Sequence, residues 1–188
     1  MIAGILLAAG AGTRFGGDKL LHPLADGTPL GVQAARRLLG AVDRAVAVLR
    51  PSDRQLANLL EQEGLQVVFC PEAHTGMGSS LAFGVTAAKD AHGWLIALAD
   101  MPFIQPDTLH GVARLLRSGA PIAAPSRQGR RGHPVGFSRA FFHDLAQLSG
   151  DQGARPLLAA HAGRIELLAC EDAGIFADID TPADIAGA

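Results

Sequence analysis

The chain has 188 residues, of which 48% are hydrophobic, and its formal net charge at pH 7 is -2. This length corresponds to one domain with a sizeable core, and the near-neutral charge disfavours broad electrostatic binding of nucleic acid. The two cysteines, Cys70 and Cys170, show no metal-ligand spacing, which favours reduced thiols in a cytoplasmic protein. No apolar run approaches the roughly 20 residues of a membrane-spanning helix, and no basic residue precedes the N-terminal apolar run. We therefore expect neither a signal peptide nor a membrane partner.

Apolar runs and turn residues predict strands that alternate with helices along the chain. The uncharged run from Ile2 to Ala9 is typical of a strand buried on both faces. Further strands are predicted at 44–49, 65–70, 94–99, 122–124, 134–137 and 165–169, with a strand end at 178–180 before a capped terminal turn. Helices are predicted at 29–39, 53–63, 79–89, 106–117, 139–148 and 154–161, and a polar loop at 126–133. Ser52 and Asp53 are the predicted cap of the second helix.

This alternating order predicts an α/β fold in which a mostly parallel sheet lies between two helix layers, a three-layer α/β/α arrangement. The ligands of such sheets bind beyond the carboxyl ends of the strands. We therefore expect the loops 10–19, 71–79 and 100–103 to converge on one site.

Residues 10–19 form a glycine-rich loop that contains two cations, Arg14 and Lys19. The loop departs from the dinucleotide fingerprint because its third glycine is displaced to Gly16 and because no acid ends the second strand. It departs from the P-loop because Lys19 is followed by Leu20 instead of serine or threonine. The two cations suit a triphosphate, and a connection whose cations only face solvent is the alternative. The spacing alone leaves both interpretations open.

Six segments in chain order resemble the motifs of one enzyme family. The first resembles the signature loop of nucleotidyltransferases that move a nucleoside monophosphate onto a phosphorylated acceptor. It reads Leu7-Ala8-Ala9-Gly10-x-Gly12-x-Arg14-Phe15-Gly16-x-Asp18-Lys19-Leu20. The others are Gly76-Met77-Gly78-Ser79-Ser80-Leu81, Ala99-Asp100-Met101-Pro102, Gly132-His133-Pro134-Val135, Gly150-Asp151-x-Gly153-Ala154-Arg155 and Asp178-Ile179-Asp180-Thr181-Pro182. Together they are most similar to the molybdenum cofactor cytidylyltransferases and their guanylyltransferase relatives, within the MobA-like NTP transferases.

The resemblance implies a Rossmann-like nucleotide-diphospho-sugar transferase (GT-A-like) fold. It implies one domain over residues 1–188, in which the nucleotide-binding part covers about 1–105 and the acceptor-binding part about 106–188.

Nucleotidyl transfer brings two phosphate anions together, so it needs charge neutralisation and alignment. Asp100 follows an apolar strand that a proline then halts, which places its carboxylate like a ligand of Mg²⁺. Asp180, at another predicted strand end, is the second candidate, and the resemblance implies the same two metal positions. Capping of the last helix is the alternative role for Asp180. The predicted catalytic residues are Arg14, Lys19 and Asp100, with both cations on the β- and γ-phosphates and Asp18 orienting Lys19.

The resemblance also implies which residues bind the two substrates. The predicted nucleotide contacts follow the first strand, line the glycine loop and begin the third helix: Leu7, Ala8, Ala9, Gly10, Gly12, Arg14, Lys19, Gly78, Ser79 and Ser80. One of the two serines is expected to cap its helix. The predicted acceptor contacts are Gly132, His133, Pro134, Asp151 and Arg155. A general-base role for His133 is the less favoured interpretation, because a phosphate monoester is already ionised at neutral pH.

The activity that the resemblance implies is transfer of CMP from CTP to the phosphate of molybdopterin, with Mg²⁺ as cofactor and release of pyrophosphate. CTP is favoured over GTP because Leu7-Ala8-Ala9-Gly10 and Gly78-Ser79-Ser80-Leu81 are more similar to the cytidylyl branch. The alternatives are a guanylyltransferase, a nucleotidyltransferase for another phosphorylated small molecule, and a non-catalytic nucleotide-binding chaperone of a molybdoenzyme. A molybdoenzyme or its maturation chaperone is the expected macromolecular partner.

Overall fold

The computed structural model describes residues 1–10, 15 and 17–186. Within them the strands are β1 Ile2–Leu7, β2 Arg44–Leu49, β3 Gln66–Phe69, β4 Gly93–Leu98, β5 Ile122–Arg127, β6 Arg130–Arg131, β7 Val135–Ser138 and β8 Ile165–Ala169. The α-helices are α1 Leu30–Ala41, α2 Arg54–Gln62, α3 Met77–Ala87, α4 Pro106–Arg117, α5 Phe142–Ala146, α6 Arg155–Ala160 and α7 Pro182–Ala186. None of the helices in this part of the chain has the length and apolar character needed to cross a bilayer.

The described strands form one mostly parallel sheet in the order β3-β2-β1-β4-β7-β5-β6, with β8 paired to β5. The first four strands along the chain run parallel to one another, as β8 does to β5. β7 runs antiparallel to both β4 and β5. Because β7 runs the opposite way, its first residue lies at the sheet edge where β4 ends. The segment 132–134 is thereby brought toward Asp100, which follows β4.

Both faces of the sheet are covered by helices. Successive residues of β1 point to opposite faces, and Ile5 and Leu6 are both fully buried. Ile5 belongs to a core cluster with Leu81 of α3, whereas Leu6 belongs to a cluster with Leu38 of α1 and Leu109 of α4. The predicted three-layer α/β/α fold with a strand buried on both faces is therefore confirmed.

Three local predictions are wrong. Residues 177–180 lie in no strand and are joined to the sheet edge by a bond from the N–H of Ile179 to the C=O of Asp100 (2.9 Å). The polar loop 126–133 contains β6, which pairs antiparallel with β5. The third helix begins at Met77 instead of 79, with Gly76 as its N-cap residue.

A buried carboxylate, Asp172, joins the C-terminal part of the chain to the start of α4. It accepts bonds from the N–H of Gln105 (2.8 Å), the hydroxyl of Thr108 (2.7 Å) and the N–H of Gly174 (2.8 Å). A methyl group on Gly174 would lie 2.4 Å from the C=O of Phe103, so the two backbone segments are in close contact. The segment that leads to Asp180 is therefore fixed against the segment that follows Asp100.

Candidate active site

A cleft of about 530 Å³ opens at the carboxyl ends of β1, β2 and β4. Its walls include Gly17 and Lys19 of the glycine loop and Asp100 after β4. His74, which precedes α3, and Met77, its first residue, also line the cleft. The three loops expected to meet at this edge of the sheet do so. The convergence predicted from the order of strands and helices is confirmed.

The centre of charge in this site is the ammonium group of Lys19. Its Nζ donates to Oδ2 of Asp100 at 2.9 Å and lies 3.6 Å from Oδ1 of Asp180. The Lys19 side chain is 11% exposed, and those of Asp100 and Asp180 are 27% and 39% exposed. Two carboxylates 80 positions apart in sequence thus converge on one cation. Within the part of the chain that the structure describes, these two carboxylates hold the ammonium. Asp18 lines the same cleft, and its expected role in orienting Lys19 stays a prediction.

Asp184, in the first turn of α7, binds the backbone that leads into this helix. Its Oδ2 accepts the N–H groups of Asp180 (2.9 Å) and Thr181 (2.6 Å). These bonds, the one from Thr181 first, hold the pKa of Asp184 below its ordinary value. The carboxylate of Asp180 lies beside Lys19, and capping of α7 stays its alternative role.

The donor set formed by Asp100 and Asp180 fits a hard divalent cation. Both carboxylates already share the positive charge of Lys19, and both are partly exposed to solvent. In the described residues no three His, Cys, Asp or Glu side chains form a metal-binding cluster. Mg²⁺ commonly takes one or two protein carboxylates and completes its shell with water and substrate phosphates, so two suffice.

The predicted nucleotide contacts come from the end of β1, from the glycine loop and from the head of α3. Leu7, Ala8, Ala9 and Gly10 line the cleft. The sheet already uses two of their backbone groups, because Ala8 donates to the C=O of Val48 and the C=O of Leu7 accepts from Ala99, each at 3.0 Å. The predicted contacts Gly12 and Arg14 lie outside the described residues.

At the head of α3, the serine that lines the cleft is Ser80. The hydroxyl of Ser79 is instead bonded to that of Thr75 (2.6 Å), and the N–H of Gly78 donates to the C=O of Gly150 (2.7 Å). Neither serine makes a side-chain cap bond, so the expected capping by one of them is wrong.

Close backbone contact explains the glycine before α3. Gly76 has φ +128°, and a methyl group there would lie 2.4 Å from the carbonyl carbon of Gly150 and 2.6 Å from the backbone nitrogen of Asp151. Only glycine fits this conformation and this distance. The predicted acceptor residue Asp151 is thereby placed against the head of α3, next to Met77 of the cleft.

Three of the predicted acceptor residues, Gly132, His133 and Pro134, lie in one segment that leads into β7. The N–H of His133 donates to the C=O of Ile175 (3.0 Å), and the His133–Pro134 peptide bond is cis. Gly132 packs so closely on Ile175 that a methyl group would lie 2.6 Å from its carbonyl oxygen. Arg155 is exposed at the start of α6. These residues border the metal-ligand candidates on the β7 side.

Burial lowers the pKa of His133 below its ordinary value. The negative charges of Asp100 and Asp178 act against this effect, while the positive charges of Arg131 and Arg155 act with it. Its Nδ1 atom is buried and has no hydrogen-bond partner in the described structure. Burial therefore favours the neutral form of the ring.

The sequence interpretation missed the β2–α2 loop. Arg50, Ser52, Asp53 and Arg54 all line the cleft. Asp53 occupies the N-cap position of α2, as predicted, yet its carboxylate makes no cap bond and instead binds the guanidinium of Arg50. Their position directly after a parallel strand was the available signal, because it places them at the same edge as Asp100.

A three-layer α/β/α fold with a cleft of about 530 Å³ at the strand ends, in which a lysine meets two carboxylates, defines a nucleotide-binding transferase class. Residues 4–165 match the MobA-like NTP transferase domain, and the chain belongs to this family of nucleotidyltransferases.

The relatives to which the chain is similar carry different names. The chain is 34% identical to nicotine blue oxidoreductase of Paenarthrobacter nicotinovorans and 31% identical to molybdenum cofactor guanylyltransferase of Cupriavidus pinatubonensis, each alignment covering 96% of this chain and 92% of the relative. It is 28% identical to molybdenum cofactor cytidylyltransferase of Escherichia coli, over 96% of this chain and 91% of the relative.

Among solved structures, Rv0371c of Mycobacterium tuberculosis superposes with a TM-score of 0.85 at 28% identity, covering 99% of this chain and 95% of that one. A complex of Rv0371c with manganese gives a TM-score of 0.81 at 26% identity, with 99% and 96% covered.

Proposed function

We propose that this protein transfers CMP from CTP to the phosphate of molybdopterin and releases pyrophosphate in a Mg²⁺-dependent reaction. The observation that supports this most is the convergence of Asp100 and Asp180 on Lys19 at the mouth of the cleft. A protein that only binds nucleotide has no need of two carboxylates at that point. The molybdenum cofactor transferases among the relatives favour the acceptor.

Each part of the chain has a role in this reaction. An oxygen of the acceptor phosphate attacks the α-phosphorus of CTP, and the bond from that phosphorus to the bridging oxygen of the β-phosphate breaks. Asp100 and Asp180 would hold Mg²⁺, which when bound would neutralise the charge of the reacting phosphates. Lys19 binds the departing pyrophosphate. His133 and Arg155 contact the acceptor, and His133, whose neutral form is favoured by burial, removes no proton. Residues 1–105 bind the nucleotide and 106–188 the acceptor.

The proposal is tested by pyrophosphate release with molybdopterin and Mg²⁺ across the four ribonucleoside triphosphates. We expect CTP to give the highest kcat/KM, because Leu7-Ala8-Ala9-Gly10 follows the cytidylyl pattern. A preference for GTP would favour the guanylyltransferase alternative. Nucleotide binding without pyrophosphate release would favour the non-catalytic chaperone, and release only with other phosphorylated acceptors would exclude molybdopterin.

Lys19→Ala should lower kcat by about a hundredfold, with a smaller change in KM, because its ammonium stabilises charge that develops on the leaving pyrophosphate. The same variant should bind Mn²⁺ more tightly in the absence of nucleotide, because the ammonium no longer competes for Asp100 and Asp180. Steady-state kinetics and a Mn²⁺ titration measure the two effects. An unchanged kcat would show that the lysine has no part in the chemical step.

A redox reaction on a small molecule is the second candidate, favoured by the 34% identity to nicotine blue oxidoreductase. It requires a redox cofactor such as a nicotinamide dinucleotide in the same cleft. Equilibrium binding of NADPH and of CTP with Mg²⁺ separates the two functions. Binding of NADPH alone would favour the redox function, whereas Mg²⁺-dependent binding of CTP alone would favour nucleotidyl transfer.

A further inference from the structure

We propose that Arg50, held in place by Asp53, contacts the base of the nucleoside triphosphate and selects cytosine over uracil. This inference rests on the proposed function, since it concerns the nucleotide that the same cleft would bind. Both residues line the cleft together with Lys19 and Asp100. The sequence predicted only a helix cap for Asp53 and no role for Arg50.

The order of the strands places Arg50 at the base end of the cleft. β2 and β4 lie on opposite sides of β1, and Arg50 follows β2 as Asp100 follows β4. Two inter-strand spacings separate these strand ends by about 10 Å. Three of the predicted acceptor residues, Gly132, His133 and Pro134, lie beyond β4, where they lead into β7. A nucleotide with its phosphates at Asp100 therefore extends its base in the other direction, across β1 toward Arg50.

The guanidinium of Arg50 is fixed by a two-bond fork. Its Nε donates to Oδ2 of Asp53 and its Nη2 to Oδ1, both at 2.9 Å. The side chain of Asp53 is only 13% exposed, and Ser52 Oγ donates to its Oδ1 at 3.1 Å. This fork uses one edge of the guanidinium, so the Nη1 edge is the one that faces a ligand. A planar donor held in this way loses little side-chain entropy on binding.

The orientation of Asp53 is a second observation. An aspartate at the N-cap position ordinarily accepts a bond from the first turn of its helix. At the start of α2 that bond is absent, and the carboxylate binds Arg50 instead, at both its guanidinium and its backbone N–H (3.3 Å). Asp53 is therefore a positioning residue for Arg50.

The chemistry of the bases then decides which nucleotide this arrangement favours. Arginine has only donors, and cytosine presents two adjacent acceptors, O2 and N3. Uracil carries a hydrogen on N3, so its N3–H donor would face an N–H donor of the arginine. Arg50 therefore discriminates CTP from UTP, while guanine, with acceptors O6 and N7, is the other base that it accepts.

The test is equilibrium binding of CTP, UTP and inorganic tripolyphosphate with Mg²⁺ and without acceptor. We expect Arg50→Ala to weaken CTP binding by about ten- to a hundredfold, which corresponds to one or two charge-assisted hydrogen bonds. Binding of UTP should change by less than about threefold, and binding of tripolyphosphate should not change. Arg36→Ala is the matched control, because Arg36 makes a similar fork with Glu63 on an exposed part of α1 (2.9 and 2.6 Å).

Asp53→Asn should weaken CTP binding in the same direction as Arg50→Ala but less, and Arg50→Lys should not restore discrimination because lysine cannot form the fork. Unchanged CTP affinity in Arg50→Ala overturns the inference, and so does an equal loss for tripolyphosphate, which would place Arg50 on the phosphates. If the unaltered protein binds none of the nucleotides, the proposed function fails as well. If the unaltered protein and Arg50→Ala bind CTP with equal affinity, only this inference fails and the proposed function stands.

Discussion

Asp100→Asn should lower the rate of nucleotidyl transfer by about a thousandfold or more while the protein stays folded. The carboxylate of Asp100 lies 2.9 Å from the ammonium of Lys19 and is one of two candidate Mg²⁺ ligands. Asparagine keeps the size of the side chain but removes the charge that a divalent cation needs. The backbone bond from Ile179 to the C=O of residue 100 is unaffected, so the local fold is kept.

Asp90→Asn is the matched control for this variant. Asp90 is an exposed aspartate paired with Arg44, and it lies before β4, at the opposite edge of the sheet from Asp100. Its loss should leave turnover within about twofold of the unaltered protein, since surface ion pairs contribute little. Pyrophosphate release, thermal unfolding and a Mn²⁺ titration should be measured on both variants. Turnover of Asp100→Asn within about tenfold of the unaltered protein would remove Asp100 from the catalytic centre.

The sequence predicted the sheet well because its strands are long apolar runs with clear ends. β2 was predicted with its observed bounds, and β1 and β4 to within two residues. Asp100 was found for the same reason, since it follows a buried strand and precedes a proline that halts it. The edge of the sheet where ligands gather could therefore be predicted from local pattern alone.

What the sequence did not predict depends on contacts between distant segments. The segment around Asp180 looked like a strand end, but contacts with distant residues place it at the site, among them the bond from the N–H of Ile179 to the C=O of Asp100. Asp53 had the position of a helix cap, and only the structure shows that its carboxylate turns to Arg50. The shape of the β2–α2 turn decides whether the carboxylate of Asp53 binds the first turn of α2 or the guanidinium of Arg50. The residue types alone do not reveal that shape.

Asp172 is a similar case, and its removal should have the largest effect on stability. Asp172→Ala should lower the free energy of unfolding by about 3 kcal/mol or more, because three donors lose a charged acceptor in the interior. For a domain of this size that corresponds to a fall in Tm of roughly 6–12 °C. Asp172→Asn should recover only part of the loss, because its NH₂ group would face N–H donors.

Urea unfolding with an unchanged m-value measures this effect, and Asp107→Ala is its control. Asp107 is exposed in the first turn of the same helix, where its interaction with the helix dipole contributes about 0.3–1 kcal/mol. If Asp172→Ala loses no more free energy of unfolding than Asp107→Ala does, the buried hydrogen bonds do not stabilise the fold.

Because Asp172 fixes the segment leading to Asp180 against the segment following Asp100, Asp172→Ala should also weaken Mn²⁺ binding at temperatures where the protein is folded. Asp107→Ala should leave that binding unchanged, since α4 itself is not displaced.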